Sequence, residues 1–261
     1  IDRAKGFLMQ GGLSEEEAVK VVCPLGFLGL RCTIERHAIQ PLQKTDVLLG
    51  DNEYLVRVGL SLGSKTINPL KSSLCATSAN VTKGSKRKLT DALKTIFPNT
   101  FEQAENWTEW KAKVKESSPS ILILVPHTLK DRSIPTLEIG STKLWKTGIN
   151  ESVVRASKDA RPLVLLIGCE TAVPDAPYQG FAAAFSQAGA AITVMTLSPI
   201  YESHAVSITE ILVSQFRQSA QLQQTFSEAL LQARRTAMAA GYAEALTLVA
   251  DGDADWILIE E

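Results

Sequence analysis

Short apolar runs alternate with segments of helical periodicity from about residue 70 onward, and this alternation restricts the fold more than any other feature. The runs are SSLCATSAN (72–80), PSILILVPHT (119–128), RPLVLLIGCE (161–170) and AAITVMTL (190–197). The helical segments are GSKRKLTDALKTIF, TEWKAKVKES, YQGFAAAFSQAGA, ESHAVSITEILVSQFRQSA and TFSEALLQARRTAMAAG. Strands separated by helices are typical of a parallel sheet that is covered on both faces. The sequence therefore predicts an α/β fold, a mostly parallel sheet flanked by helices on both faces.

The other segments give weaker signals. Residues 13–22 have helical spacing, and residues 53–62 alternate at period two like a strand. The regular alternation begins near residue 66, so we expect an N-terminal extension, or the end of an upstream region, over 1–65 and one domain over 66–261. Residues 99–105 indicate a weak strand, 128–143 a long polar loop, 151–158 a helix and 244–260 an edge strand or hairpin.

Composition excludes several classes of protein. Of the 261 residues 45% are hydrophobic and 21% charged, and the net charge is −1, so the chain lacks the basic surface of a nucleic-acid-binding or acidic-membrane-binding protein. Its most apolar stretch, 181–200, is interrupted by polar residues and proline, which argues against a membrane span. Four cysteines are too few for a disulfide scaffold, so we expect reduced thiols and a cytoplasmic location.

Two reactive side chains follow two of the apolar runs directly. His127 ends one run and Cys169 ends the next, and they lie 42 residues apart (169 − 127). That separation fits one strand–helix–strand crossover, which needs about 30 residues or more and places its two strands side by side. Functional groups of open parallel sheets gather beyond the carboxyl ends of the strands. An imidazole and a thiol are therefore expected to converge there, as cysteine nucleophile chemistry requires.

Other candidate sites have weaker support. Cys23, Cys32 and His37 lack the spacing and the fourth ligand of an ordinary zinc site, so we interpret them as packing residues and expect no metal and no cofactor. The basic loop at 80–88 precedes a predicted helix and could hold an anion at its N-terminus. That loop lacks the glycine pattern of a phosphate-binding loop, and a solvated run of charges is the better interpretation.

Several of these segments resemble one known family. The stretch LVLLIGCETA…YQGFAAAFSQAGAAITVMTLSPI is similar to the nucleophile strand, helix and next strand of the CHAT domain, a caspase-like peptidase associated with tetratricopeptide repeats. ILILVPHT resembles its histidine strand and GDADWIL its last strand, so the resemblance extends over about 66–261. Within the family, the chain resembles the CRISPR-associated tetratricopeptide-repeat CHAT proteases of the Craspase type.

The resemblance implies a caspase-like fold and a cysteine endopeptidase with a His/Cys dyad. Cys169 would be the nucleophile and His127 the general acid and base. The backbone amides of Cys169 and Thr128 would be the oxyanion donors. Caspase-type sites usually have glycine after the histidine, whereas this chain has Thr128, whose Cβ restricts the backbone there. The sequence identifies no Asp or Asn that must orient the imidazole, so we predict a dyad and leave open whether a third residue orients His127.

The resemblance also implies a protein substrate and a regulatory or sensor partner in a prokaryotic defence system, with a CRISPR ribonucleoprotein as one candidate. Acidic residues near the catalytic edge could favour a basic side chain beside the cleaved bond. The candidates are Asp131, Glu170 and Asp175, with Glu202 a further acid in this region. Long polar segments at 128–143 and 171–179 predict that the chain alone is weakly active until a partner orders them.

Two other functions remain open at the level of sequence. A thiol-dependent, amidotransferase-like hydrolase would use a histidine that follows the nucleophile, which here is His204. Pro174 and Pro177 interrupt the segment after Cys169, and this argues against the tight strand-to-helix elbow of such enzymes. A catalytically silent caspase-like module used for binding is the third alternative, and the presence of both His127 and Cys169 argues against it. We interpret His204 as an exposed residue in the capping region of a helix.

Overall fold

The computed structural model describes residues 65–131, 134–168, 180–198, 200–253 and 255–260, and within these the side chains of 129–131, 134 and 135 are not described. The helix expected at 13–22, the strand expected at 53–62 and the N-terminal extension all lie outside the described residues. The domain boundary near residue 66 therefore stays a prediction.

Strands and helices alternate along the described chain. The strands are β1 (Thr66–Ile67), β2 (Ser73–Thr77), β3 (Phe101–Gln103), β4 (Ile121–Val125), β5 (His127–Asp131), β6 (Ile134–Ile139), β7 (Thr142–Trp145), β8 (Leu163–Leu166), β9 (Ile192–Thr196), β10 (Leu248–Gly252) and β11 (Ile257–Leu258). The helices are α1 (Lys83–Ile96), α2 (Trp107–Ser117), α3 (Glu151–Val154), α4 (Phe181–Gln187), α5 (Glu202–Gln221) and α6 (Phe226–Ala239), with 3-10 turns at Lys146–Gly148 and Ala243–Thr247.

A six-stranded sheet forms the centre of the described fold. Its strand order is β10-β9-β8-β4-β2-β3, and all its neighbouring strands are parallel except β10, which pairs antiparallel with β9 at one edge. The central strands β4 and β8 are buried along their whole length, which explains their continuous apolar sequences. The expectations of a mostly parallel sheet and of a C-terminal edge strand are confirmed.

Helices cover both faces of this sheet. Successive side chains of each strand point to opposite faces, so each strand contributes to two separate cores. On β4, Ile121, Ile123 and Val125 pack into one core with apolar residues of α1, α5 and α6. Leu122 and Leu124 pack into a second core with apolar residues of α2, α3 and α4. The predicted helical layers are therefore confirmed.

Polar side chains cap the start of four described helices, α1, α2, α3 and α6. The side chains of Thr82 and Asn106 accept hydrogen bonds from the backbone of the first turn of α1 and α2. Thr225 and Glu228 form a reciprocal capping box at the start of α6. The helix expected at 151–158 ends earlier, at Val154, where Arg155 takes an extended conformation. None of the described helices combines the length and the apolarity needed to cross a bilayer.

The prediction of a loop over 128–143 is wrong. β5, β6 and β7 form a three-stranded antiparallel sheet there, in the order β5-β6-β7. Leu137, Ile139 and Leu144 are buried in the second core, while charged residues alternate with them and obscured the pattern. This segment therefore has regular structure in the chain alone. The expectation that a partner must order it is wrong. The other segment that we expected a partner to order, 171–179, lies outside the described residues.

Candidate active site

The carboxyl ends of β4 and β8 lie side by side. The two strands pair in parallel with Leu124 opposite Leu166, and the Ile167 amide donates a hydrogen bond of 3.0 Å to the Leu124 carbonyl. His127 is two residues beyond the end of β4, and Gly168 is two residues beyond the end of β8. The predicted adjacency of the strands that lead to His127 and Cys169 is confirmed.

A cavity of about 140 Å³ opens where these strands end. Its described lining comes from the ends of β2, β4 and β8 and from the start of α5: Ser78, Asn80, Val81, Val125, Pro126, His127, Ile167, Gly168, Ile200, Glu202 and Ala205. Most of this wall is apolar, and its polar groups are concentrated at the strand ends. A pocket with a few convergent polar groups at the carboxyl edge of a parallel sheet is the usual place for a binding or catalytic site.

His127 lies at the junction of two sheets. It is half-buried and begins β5 after the buried Pro126, which separates β4 from β5. Proline has no backbone N–H to donate, so the ladder of the main sheet does not continue through it. In the small sheet His127 lies directly opposite Glu138 of β6. The backbone of His127 is therefore held between the end of the main sheet and the small sheet.

Gly168 allows the two strand ends to approach closely. A Cβ at this position would lie 2.6 Å from the Pro126 carbonyl oxygen and 3.1 Å from the Pro126 Cδ. Real Cβ atoms do not approach backbone oxygen that closely, so only glycine fits between β8 and Pro126. The Gly168 carbonyl in turn accepts a hydrogen bond from the Thr196 hydroxyl of β9. The chain is thus held tightly at the residue that precedes Cys169.

Gly168→Ala is expected to disturb the site more than its small volume suggests. The added methyl group would push against the backbone of Pro126, which costs about 1–3 kcal/mol of stability in a packed region. A displacement of about 1 Å between reacting groups can cost about 100-fold in rate, so any cleavage should fall at least tenfold. Thermal unfolding and cleavage kinetics would test this. Gly84→Ala is the control, because no atom lies within 4 Å of its added Cβ. An equal effect of both substitutions would contradict the close approach.

Ser78 and Glu138 connect β2 to this region, and the sequence did not reveal either as a site residue. The Ser78 amide donates to the Val125 carbonyl at 2.9 Å, and its hydroxyl donates to Glu138 Oε1 at 3.1 Å. The Asn80 amide donates to the Ser78 hydroxyl at 3.1 Å. Ser78 is 1% exposed, so this hydrogen-bonded group is shielded from water. The signal that could have identified Ser78 was its place at the end of an apolar run, as for His127.

Glu202 supplies the acidic group of the cavity wall. Its Oε1 accepts a hydrogen bond of 2.7 Å from the Thr82 amide at the start of α1. Partial burial raises the pKa of this carboxyl, but hydrogen bonds from Thr82 and Ser85 and the charge of Lys86 outweigh it, and the net pKa lies below the ordinary value. The Glu202 carboxylate thus binds the N-terminus of α1. The sequence had indicated this helix start as a possible site for an external anion. Lys83, Arg87 and Lys88 are exposed, as a solvated run of charges would be.

A family model of the CHAT domain matches residues 71–244, which is most of the chain. This chain belongs to the CHAT domain family. The solved structures that resemble this CHAT domain include gingipain cysteine proteinases and a separase–securin complex. No curated protein matches it by sequence.

The Arg-specific cysteine proteinase gingipain R matches with a TM-score of 0.56 and 11% identity over 80% of this chain and 52% of its own. The complex of the RgpB pro- and mature domains from Porphyromonas gingivalis matches with a TM-score of 0.56 and 11% identity over 75% and 51%. The separase–securin complex of Saccharomyces cerevisiae matches with a TM-score of 0.50 and 12% identity over 80% and 13%. The chain therefore spans about half the length of the gingipain structures, and it has the fold of the caspase-like cysteine proteases.

Several predicted site residues of this CHAT domain lie outside the described residues: Cys169, Glu170 and Asp175. Asp131 is the last residue of β5, but its side chain is not described. Thr128 lies in β5 opposite Leu137, and its Oγ1 is buried without a hydrogen-bond partner among the described residues. The described structure therefore places His127 and the two strand ends, and the roles of these five residues stay predictions.

His204 lies at the start of a helix, as the sequence indicated, but it is partly buried and makes specific contacts. It lies in the first turn of α5, where its Nδ1 is 2.7 Å from Glu244 Oε1. Its ring packs edge-on against the rings of Tyr201 and Tyr242, with centroids 5.6 Å and 5.2 Å away. The interpretation of His204 as exposed failed because Tyr242 and Glu244 are about 40 residues away in sequence and no local pattern links them to the start of α5. His204 is thus a structural contact between α5 and the segment after α6.

The described part of this CHAT domain contains no group of three or more His, Cys, Asp or Glu side chains placed to hold a metal ion. Cys23, Cys32 and His37 lie outside the described residues. Cys75 is fully buried in β2, and burial, with a smaller contribution from Glu105, raises the pKa of its thiol to about 12. Cys75 is therefore an unreactive packing residue in the native fold.

Proposed function

We propose that this CHAT domain is a cysteine endopeptidase in which Cys169 is the nucleophile and His127 the general acid and base. The observation that carries the proposal is the cavity at the neighbouring ends of β4 and β8, which His127 and Gly168 both line. Cys169 follows Gly168 directly in the chain. A trans peptide bond places consecutive Cα atoms about 3.8 Å apart, so the thiol would enter the site from the strand beside the histidine.

In the proposed reaction the Cys169 thiol transfers its proton to His127 as the sulfur attacks the carbonyl carbon of the substrate peptide bond. A C–S bond forms, the C–N bond breaks, and the amine takes the proton from His127 as it leaves. Water then attacks the thioester carbonyl carbon and gives one proton to His127. A C–O bond forms, the C–S bond breaks to release the thiolate, and the carboxylic acid departs. His127 returns the proton to the sulfur, which regenerates the thiol.

The oxyanion of the tetrahedral intermediate would accept hydrogen bonds from the backbone amides of Cys169 and Thr128. The hydrogen bond from Thr196 holds the Gly168 carbonyl on the β9 side. In a trans peptide the following N–H points away from the carbonyl, which favours the Cys169 amide as a donor directed away from β9. Preorganised backbone donors of this kind supply about 10²–10³-fold in rate.

We propose a protein substrate, with a basic residue beside the cleaved bond selected by Asp131, Glu170 and Asp175. The described cavity wall limits which acid could act in this way. The Glu202 carboxylate already accepts the Thr82 amide, so a substrate cation would have to compete with that contact. This leaves the selection of a basic side chain to the three acids on the segments that follow His127 and Cys169.

The regulatory part of the proposal depends on the family resemblance. We propose a cytoplasmic role in a prokaryotic defence or regulatory system, in which a partner or sensor, with a CRISPR ribonucleoprotein as a candidate, activates the site. The strands β5–β7 have regular structure in the chain alone, so activation would act on the segment that contains Cys169 and not on the histidine segment.

The geometry favours this order of residues over the amidotransferase-like order. The described cavity lining includes His127 but not His204, and His204 contacts Glu244 and two tyrosines instead. A silent binding module would keep the fold without cleavage, and only an activity measurement separates it from a peptidase.

A peptide library derived from a digested proteome would test the proposal, with new termini identified by mass spectrometry. The chain and its Cys169→Ala variant would be incubated with the library, each with and without lysate from the source cells. We expect termini that depend on Cys169, with a preference for Lys or Arg before the cut, and stronger cleavage with lysate. Equal termini from both proteins would contradict the peptidase, and an apolar preference would contradict the role of the three acids.

A further inference from the structure

Glu138 has a position that the His/Cys dyad does not explain. In β6 it lies directly opposite His127 of β5. Directly opposed residues of an antiparallel pair project from the same face of the sheet, with Cβ atoms about 4.5–5.5 Å apart. A glutamate carboxylate beside an imidazole at that separation is within reach of a hydrogen bond, because the glutamate side chain extends further than this gap.

The carboxylate is also held from a third strand. Ser78 donates its hydroxyl to Glu138 Oε1 at 3.1 Å, and Ser78 itself lines the cavity with His127. The Ser78 backbone is fixed by the hydrogen bond that its N–H donates to the Val125 carbonyl and by its β-bridge to Gly140. One carboxylate oxygen is thus bound at the end of β2. The described residues contain no hydrogen bond between Glu138 and His127, so the contact proposed here is one that these side chains would make in the working site. Fixing one oxygen lowers the entropy cost of any bond made by the other.

The other charged residues near His127 and Glu138 compete little for contact with either side chain. Lys143 of β7 lies opposite Glu138 on the other side, but it is exposed, and exposed ion pairs contribute little. Glu202 faces the cavity from α5 and is engaged by the Thr82 amide. Among the described residues that line the cavity or flank Glu138, His127 is therefore the group that Glu138 is best placed to contact.

We propose that Glu138 is the positioning residue of the site: anchored by Ser78, its carboxylate accepts the Nδ1–H of His127 and directs Nε2 toward the thiol. This inference rests on the proposed peptidase function. A carboxylate on Nδ1–H fixes the neutral imidazole as the Nδ1–H tautomer, which leaves the Nε2 lone pair to take the thiol proton. It also stabilises the imidazolium that forms when the thiol is deprotonated, as the acidic member of a Ser-His-Asp triad does.

The first test is the tautomer of His127, which is independent of cleavage. The chain has three histidines, so long-range ¹⁵N–¹H spectra of the full chain can be assigned with the His127→Ala variant. We expect the Nδ1–H form to predominate for neutral His127 in the wild type. In Glu138→Gln the amide can donate to Nδ1, and the Nε2–H form should increase severalfold. Ser78→Ala should shift the ratio in the same direction by less.

The second test is kinetic. We expect Glu138→Gln to lower kcat by about 10- to 100-fold with KM little changed, since such supporting contacts to a histidine typically have effects of that size. Glu116→Gln is the control, because it makes the same charge change at an exposed position of α2. An unchanged tautomer ratio in Glu138→Gln, or an equal loss of kcat in Glu116→Gln, would overturn the role of Glu138. Cleavage that persists in Cys169→Ala would instead overturn the peptidase proposal and leave the tautomer result standing.

Discussion

Cys169→Ala is expected to abolish peptide cleavage, and His127→Ala to lower kcat/KM by about 10²–10⁴-fold. Loss of the thiol removes the covalent route altogether. Loss of the imidazole removes both the base that activates the thiol and the acid that protonates the leaving amine. The measurement is steady-state cleavage of the best peptide from the library by each variant, under the condition that gives the wild type its highest rate.

The double variant should be little worse than either single one, because the two residues act as a unit. His204→Ala is the matched control, since it removes an imidazole near the same sheet edge that contacts Glu244 and not the cavity. Its cleavage should stay within about threefold of the wild type, because His204 takes no part in the proposed chemistry. An inactive His204→Ala with an active His127→Ala would reverse the assignment and favour the amidotransferase-like order.

Gly140→Ala should destabilise the fold by about 2–5 kcal/mol, because a positive φ and a backbone overlap both act against the added methyl group. Gly140 has a φ of 53° in the turn between β6 and β7, where a Cβ costs about 1–2 kcal/mol. That Cβ would also overlap the Glu105 carbonyl oxygen, which adds about 1–3 kcal/mol of overpacking. For a domain of this size the melting temperature should fall by roughly 10 °C in calorimetry.

Gly140→Ala should also disturb the candidate active site around His127. The Gly140 amide donates to the Thr77 carbonyl at 2.8 Å, and the Ala79 amide donates to the Gly140 carbonyl at 2.7 Å. These bonds join the small sheet, which contains His127, to the end of β2. Gly241→Ala is the control, because its φ is 90° but no atom lies within 4 Å of its added Cβ. If Gly140→Ala loses no more stability than Gly241→Ala, the packing of this turn against Glu105 is not what the structure indicates.

The main sheet could be predicted from the sequence because its strands have two buried faces. The β-branched and leucine-rich sequences of β4 and β8 are continuous, bounded by proline and too short for helices. The positions of His127 and Gly168 at neighbouring strand ends follow from that assignment and from the length of one crossover. The family resemblance added the peptidase reaction and the roles of Cys169 and His127 in it. Strand patterns alone do not assign a reaction.

The small sheet and its contacts could not be predicted in the same way. In β5–β7 polar and charged residues, among them His127, Glu138 and Lys143, interrupt the apolar ones, so the segment resembles a polar loop in sequence. The hydrogen bond from Ser78 to Glu138 joins residues 60 apart, and the one from Thr82 to Glu202 joins residues 120 apart. Contacts at such separations depend on how sheets and helices dock, which leaves no local pattern in the sequence.

The most direct test of the central claim is to map where a peptidyl acyloxymethyl ketone attaches to the chain. This probe occupies a peptidase site and alkylates its thiolate, forming a C–S bond as the carboxylate leaves. We expect tandem mass spectrometry to place the adduct on Cys169, with labelling at least tenfold slower in His127→Ala. Cys75, whose pKa is raised to about 12 by burial, should stay unmodified. Labelling of Cys169 at the same rate with and without the His127 imidazole, or attachment to another cysteine, would contradict the account.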